Sequence, residues 1–357
     1  MSKKICILTD SLSYGGAEKV AANMSVFLSE KGYSVFIVSM HDDISYSFNG
    51  ELYNFGKAKA KYNKIKAFLE FKNFFKKHNF DFIIDHRIRS KYFKELLFSL
   101  FVFKNYKVAY CIHSFKLSYY FSFVKVPWLA SIPHVKRKVF ITVSSEIENY
   151  LKDILNIKSI TIYNFYSKKN MVSENQHNSD FNNYIIGVGR LNKTKQFDKL
   201  IKSYSQSNLP KHDIKLIILG DGKEKQVLEN LIKVLNLKHL VKLIPFINNP
   251  DYLIKKAKAL VLTSKVEGFP MVLLEALSLN TPVISFNCKS GPKEIIMDGV
   301  NGLLIENQNI TELTLALNKL IDDTFYANLK NNTHIGLERF SKDIIIQEWI
   351  NVLENHK

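Results

Sequence analysis

Two carboxylates, Glu267 and Glu275, bracket the run Gly268-Phe269-Pro270-Met271 in the segment SKVEGFPMVLLEA. Ahead of them Ala259-Leu-Val-Leu-Thr263 is short, apolar and β-prone, and reads as a buried strand. Gly268 breaks the chain, and Pro270 suits the first turn of a helix, where a missing N–H costs nothing. Met271 to Leu279 are good helix formers, and Thr281-Pro282 stops them. A strand, a tight turn and a helix leave free N–H groups and a positive dipole end over the sheet's carboxyl edge, which suits an anion. A terminus that held only phosphate would gain little from added negative charge. The carboxylates therefore read as acceptors for hydroxyls, of a ribose on one side and a sugar on the other. A nucleotide-diphosphate sugar has that pattern. The plainer alternative makes Glu267 an ordinary first-turn acid and Glu275 part of a solvated helix face.

Other residues fall where the same chemistry needs them. Tyr184-Ile-Ile-Gly-Val-Gly189 reads as a strand followed by Arg190 and, five residues on, Lys195. Two cations just past a strand can neutralise a diphosphate, Arg as a fork and Lys as a point charge. The alternative is a solvated basic loop, with Lys193 a residue of the same sort. Lys215-Leu-Ile-Ile-Leu219 leads into the turn Gly220-Asp221-Gly222, and Val241 to Pro245 leads into Phe246, an aromatic able to line a base pocket. Near the start, Gly15-Gly16 opens a helix expected from about Ala17 to Lys31, and lets backbone approach a ligand closely. It lacks the G-x-G-x-x-G of a dinucleotide site. His113 stands at the carboxyl end of the strand Lys107–Ile112, the edge where open α/β sheets bind ligands. A structural histidine would also fit there.

Glu267 through Glu275 in E-G-F-P-x-x-L-x-E-A resembles the signature of the retaining glycosyltransferases of family 4, the "glycosyl transferases group 1" domain. Gly15-Gly16, His113, Arg190 with Lys195, and Gly220-Asp221-Gly222 resemble that family's other landmarks, in the same order along the chain. Two departures stand out: Thr194-Lys195-Gln196 replaces a usual Glu-Lys-Gly, and Asn164-Phe165 replaces a usual Asn-Pro. Gly291-Pro292-x-Glu294 is similar to a turn in polysaccharide-assembly members. The resemblance implies an α/β GT-B fold, with two Rossmann-like domains facing across a cleft and a C-terminal helix returning to the first. It implies donor contacts from Gly15, Gly16, Arg190, Lys195, Gly220, Phe246, Glu267, Gly268, Phe269, Pro270, Met271, Val272 and Glu275. His113, Arg190, Lys195 and Glu267 would serve the reaction, Glu267 orienting the donor sugar and Glu275 holding the ribose. The implied reaction moves a hexose or N-acetylhexosamine from a nucleotide-diphosphate sugar, UDP the commoner base, with retention. No cofactor is expected. No two aspartates stand two residues apart, so the D-x-D of metal-dependent transferases is missing and no metal is expected in the chemistry.

Size and composition bound these readings. The 357 residues suit two α/β domains, and 46% hydrophobic content is ordinary for a globular chain. We expect an acceptor domain over 1–166, a linker over 167–183, a donor domain over 184–335 and a returning helix within 336–357. Three widely spaced cysteines suggest a reducing compartment rather than disulfides or zinc. Met1-Ser-Lys-Lys runs straight into a strand, so no signal peptide is expected, and Leu96–Phe103 is too short to span a membrane. The net charge of +17 is uneven: residues 1–170 hold 27 lysines and arginines against 13 acids. From Arg87 to Lys138 these cations alternate with Tyr92, Phe93, Phe101, Phe103, Tyr106, Tyr119, Tyr120, Phe121, Phe123 and Trp128. That mixture suits the interfacial zone of an anionic membrane, although single-stranded nucleic acid would stack on similar residues.

The function expected is therefore transfer to a lipid-linked or lipopolysaccharide saccharide acceptor. It would serve bacterial O-antigen, capsule or lipooligosaccharide synthesis in the cytoplasm, at the inner membrane face and without nucleic acid. Two alternatives remain. Another GT-B enzyme, such as a nucleotide-sugar epimerase, would have no need of the basic aromatic face. A non-catalytic membrane- or nucleic-acid-binding module would have no need of Arg190, Lys195, Glu267 and Glu275.

Overall fold

The structure is a computed structural model, and it describes residues 2–13, 15–166, 182–247 and 249–355. The expected linker falls outside these, apart from Asn182 and Asn183. The chain divides into two compact units, Met1–Asn164 with Ile345–Lys357, and Phe165–Ile344.

The first unit is built on β1 (Lys4–Thr9), β2 (Ser34–Ser39), β3 (Glu51–Asn54), β4 (Phe82–Asp85), β5 (Lys107–Ile112), β6 (Lys138–Thr142) and β7 (Ile160–Thr161). They form one sheet in the order β3-β2-β1-β4-β5-β6-β7, and each paired neighbour runs parallel. Parallel neighbours need crossovers, and the helices that supply them cover both faces, so the central strands are continuous apolar runs. Ile5, Cys6, Ile7 and Leu8 of β1 are fully buried. The second unit repeats the plan with β8 (Tyr184–Val188), β9 (Lys215–Leu219), β10 (Val241–Ile244), β11 (Leu260–Leu262), β12 (Val283–Phe286) and β13 (Gly302–Ile305). Its all-parallel order is β10-β9-β8-β11-β12-β13. In both sheets the order reverses beside the first strand of the unit. That switch point, at the carboxyl ends, is where such sheets bind ligands. Two such Rossmann-like units are the architecture expected of a GT-B chain.

Local signals placed several helices. Helix Gly16–Glu30 begins at Gly15, and Ser144 caps helix Ser145–Leu155 by accepting from the Ile147 N–H at 3.2 Å. The C-terminal helix Lys342–Asn355 buries Ile345, Trp349 and Leu353 on one face, and its portion from Ile345 belongs to the first unit. There Glu354 bonds Lys3 and accepts from the Tyr33 hydroxyl at 2.8 Å.

Elsewhere the sequence reading needs correction. Strand β3 and helix Phe55–Lys61 were not anticipated; the helix is lysine-rich and buries Phe55 alone, so it carries no periodic apolar signal. The β-prone run Ser159–Asn164 contributes only the two residues of β7 to the sheet. The basic aromatic stretch does not form one surface. Arg87, Arg89, Phe103, Tyr120 and Phe121 are core residues, whereas Phe93 and Trp128 are 78% and 69% exposed. Arg87 can be buried because it is paired: it donates to both oxygens of buried Asp85 at 2.8 and 2.7 Å and to Glu95 at 3.0 Å. Among the described residues, no helix is long and apolar enough to cross a membrane.

Candidate functional site

In the second unit the loops after β8, β9, β11 and β12 are laced together at the carboxyl edge. The Lys265 N–H donates to the Thr194 carbonyl at 2.8 Å, and the Thr263 hydroxyl donates to the carbonyls of Lys195 and Gln196 at 3.0 and 3.1 Å. Those bonds hold the loop carrying Arg190 and Lys195 against the turn carrying Glu267. The Leu191 N–H donates to the Asp221 carbonyl at 2.8 Å, which joins the glycine turn to the same loop.

Gly220 and Gly222 are demanded by this lacing. Both have positive φ, +150° and +157°, and a Cβ on either would lie 2.0 Å from the Gly189 carbonyl oxygen or 2.1 Å from that of Leu191. Asp221 between them accepts from the Phe246 N–H at 2.8 Å, which fixes the half-buried Phe246 beside the turn.

The carboxylate turn is braced from the loop after β12. The Glu267 N–H donates to the Lys289 carbonyl at 2.7 Å, and the Ser290 hydroxyl donates to the Gly268 carbonyl at 2.7 Å. Gly291 lies so close that a Cβ there would stand 2.7 Å from Pro270 Cδ. Helix Met271–Ser278 then starts directly after Pro270, one residue later than the proline placement expected from sequence. Its first N–H groups have no partners within the helix. Phe269 is buried and edges onto Phe340 at 5.4 Å between ring centroids. Met271, Val272 and Glu275 are half-buried along the helix.

At the centre, Lys195 Nζ lies 2.6 Å from Glu267 Oε1, with the side chains 21% and 14% exposed. These two residues, 72 apart in the chain, form the contact that brings the separate sequence signals together. Arg190 is on the same loop and is exposed. The arrangement sets a point cation, a carboxylate and a helix N-terminus side by side, which suits a ligand with both phosphate and hydroxyl groups.

The first unit has its own cluster at the carboxyl edge of β4 and β5. Gly15 is the N-terminal cap of helix Gly16–Glu30, and Gly16 is exposed. His113 directly follows β5, and its Nε2 faces Nδ1 of His86 at 2.8 Å. The His113 N–H donates to the Tyr120 hydroxyl at 2.9 Å. His86 was missed by the sequence reading. Its signal is the register Asp85↔Tyr110, which carried one step further sets His86 beside Cys111, with His113 two residues beyond on the same face. Burial holds the His86 imidazole down at about 4, with Asp85 opposing and Arg89 assisting. Burial, then His86 and Arg89, hold His113 well below the usual histidine range. Both rings are therefore neutral at neutral pH. Together with Cys111 they offer donor atoms within 4.8 Å of one another. A dication there would face the positive charge of Arg89, which also bonds the Cys111 carbonyl at 3.0 Å, so the pair reads as a hydrogen-bonded dyad.

Comparisons with known proteins agree with this architecture. Residues 168–335 match the family model "Glycosyl transferases group 1". The chain is 26% identical to the amylovoran biosynthesis glycosyltransferase AmsD of Erwinia amylovora, over 98% of this chain and 99% of that one. It is 29% identical, with the same coverage, to the N-acetylgalactosamine-N,N'-diacetylbacillosaminyl-diphospho-undecaprenol 4-alpha-N-acetylgalactosaminyltransferase of Campylobacter jejuni. Another relative, 32% identical, aligns over 55% of its own length. Among solved structures, Anabaena Alr3699/HepE in complex with UDP-glucose superposes with a TM-score of 0.75 at 19% identity, covering 98% of this chain and 99% of that one. Residues 168–335 thus resemble a group 1 glycosyltransferase domain, and the two units have the GT-B fold.

Proposed function

We propose that this protein is a metal-independent, retaining glycosyltransferase that moves a hexose or N-acetylhexosamine from a UDP-sugar to a lipid-linked or lipopolysaccharide saccharide acceptor. Its setting would be the synthesis of a bacterial surface polysaccharide. The observation that carries this reading is the Lys195–Glu267 pair beside the start of helix Met271–Ser278. Relatives named for amylovoran and diphospho-undecaprenol saccharide assembly support the acceptor class, and the UDP-glucose complex of the HepE neighbour supports the donor class.

In this mechanism Lys195 and Arg190, with N–H groups near Phe269–Met271, take the charge that develops on the diphosphate as its bond to the anomeric carbon breaks. Glu267 accepts hydrogen bonds from the sugar, Glu275 holds the ribose hydroxyls, and Gly220 with Phe246 borders the base. The acceptor oxygen bonds to the anomeric carbon on the face the diphosphate leaves. Its proton passes to the departing diphosphate oxygen, so no protein base is required. His113 and the Gly15-Gly16 turn are the residues that the family resemblance assigns to the reacting side. The direct test is turnover in EDTA with a panel of UDP-sugars and a diphospho-undecaprenol saccharide, reading the product's anomeric configuration by NMR. An α-linked donor should give an α-linked product. A β-linked product, or turnover that needs a divalent ion, would contradict the mechanism.

The exposed part of the basic aromatic stretch suits a membrane face. Phe93, Phe101 and Trp128 stand out among lysines, with Lys72 over the Phe101 ring at 6.0 Å. The protein is expected to float with vesicles containing anionic lipid. The double variant Phe93→Ser/Trp128→Ser should lose most of that binding while keeping its thermal midpoint. Equal binding by the variant, or stronger capture by a single-stranded oligonucleotide than by vesicles, would overturn this part.

A further inference from the structure

We propose that His86 is a positioning residue: its Nδ1–H donates to His113 Nε2 and thereby fixes His113 as the Nδ1–H tautomer, a hydrogen-bond donor toward the transferred sugar. The part concerning sugar rests on the transferase reading above; the tautomer does not.

The geometry leaves one good arrangement of protons. The facing nitrogens are 2.8 Å apart, so a single proton lies between them. With both rings neutral, each carries one proton, and which nitrogen bears it follows from its partners. His86 is 4% exposed, and its Nε2 is buried with no hydrogen-bond partner. If His113 were the donor, the His86 proton would sit on that Nε2, as a buried N–H with nothing to receive it. Orphaned buried N–H groups are among the rarest features of folded proteins. Placing the proton on His86 Nδ1 avoids that cost and gives His113 Nε2 its donor. The proton of His113 then belongs on Nδ1.

The surroundings keep both rings in place. His86 follows β4 directly, and its N–H donates to the Leu8 carbonyl of β1 at 2.9 Å. The two rings stack at 5.0 Å between centroids, 26° from parallel. The Tyr120 hydroxyl anchors the His113 backbone, and Trp349 of the C-terminal helix lies 6.5 Å from the His86 ring. His113 therefore acts as a donor of fixed direction, and a proton-accepting role for it is set aside. This also fits a reaction in which the diphosphate takes the acceptor's proton.

Nitrogen NMR on the intact protein with labelled histidine tests the tautomer directly. The wild type should show Nδ1–H at both His86 and His113. His86→Leu should release His113 into a mixture of tautomers, whereas His86→Asn, whose amide can donate from nearly the same place, should restore Nδ1–H at His113. In turnover, kcat/KM should fall about tenfold for His86→Leu and return toward wild type for His86→Asn. Nε2–H at His113 in the wild type would overturn the proposal, and so would leucine and asparagine variants that behave alike. If the tautomers follow expectation but the wild type transfers no sugar, the dyad stands and the transferase reading fails.

Discussion

Replacing Lys195 by alanine is expected to lower kcat by about 10²- to 10³-fold, the cost of removing one preorganised donor from a developing oxyanion. Lys195 is held by Glu267 at 2.6 Å and is mostly shielded from water. A diphosphate arriving there would replace one anionic partner by another, and Glu267 would be freed to accept from the sugar. The loss should therefore appear in kcat more than in KM, because the charge grows as the bond breaks. Folding should change little. The loop's lacing is made by backbone and by Thr263 and stays in place, so the loss is limited to one part-buried pair. Lys195→Arg is not a neutral exchange, since a planar fork cannot occupy the place of a point charge beside Glu267. A Lys195→Ala enzyme with wild-type kcat would remove Lys195 from the chemistry.

Arg87→Leu should destabilise the first unit by about 3–5 kcal/mol, the scale for breaking a buried ion pair on one side only. The guanidinium is fully buried, holds Asp85 through two bonds and Glu95 through one, and lies over the Phe98 ring at 5.1 Å. Burial by itself would raise the Asp85 carboxyl, yet Arg87 and Arg89 bring it below the usual range. Removing Arg87 leaves two carboxylates in the core with too little to satisfy them. The double variant Arg87→Leu/Glu95→Leu should recover part of the loss, because Asp85 still faces Arg89 and no second carboxylate is left buried without a cation. Urea unfolding of the two proteins measures both. An Arg87→Leu midpoint within about 1 kcal/mol of wild type would show that this network contributes little to the fold.

The difference between what was legible and what was not follows the range of the interactions. The strand-turn-helix around Glu267 and Glu275 could be read directly, since Gly268, Pro270 and the apolar run act within a dozen residues. So could the Ser144 cap and the buried face of the C-terminal helix, which depend on spacings of three and four. The Lys195–Glu267 contact could not, because it depends on loop lacing through Thr263, Thr194 and Lys289. Arg87 and Arg89 were misplaced for the same reason. Read along the chain, they continue a basic surface run; in the fold, Asp85 and Glu95 neutralise the first and backbone carbonyls receive the second. His86 was silent because its role needs a partner 27 residues away on the next strand. Gly220 and Gly222 gave a turn signal in sequence, but the reason for glycine there is the approach of the Gly189 and Leu191 carbonyls.

We propose that the second unit holds a uridine diphosphate without metal, with Glu275 on the ribose. Thermal unfolding with a panel of nucleotides in EDTA, on wild type and Glu275→Ala, tests it most directly, because a ligand that binds only the native state raises the midpoint. UDP should raise the wild-type midpoint more than other nucleoside diphosphates do, and Glu275→Ala should lose most of that rise. A wild type indifferent to every nucleotide, or a variant that responds as the wild type does, would contradict it.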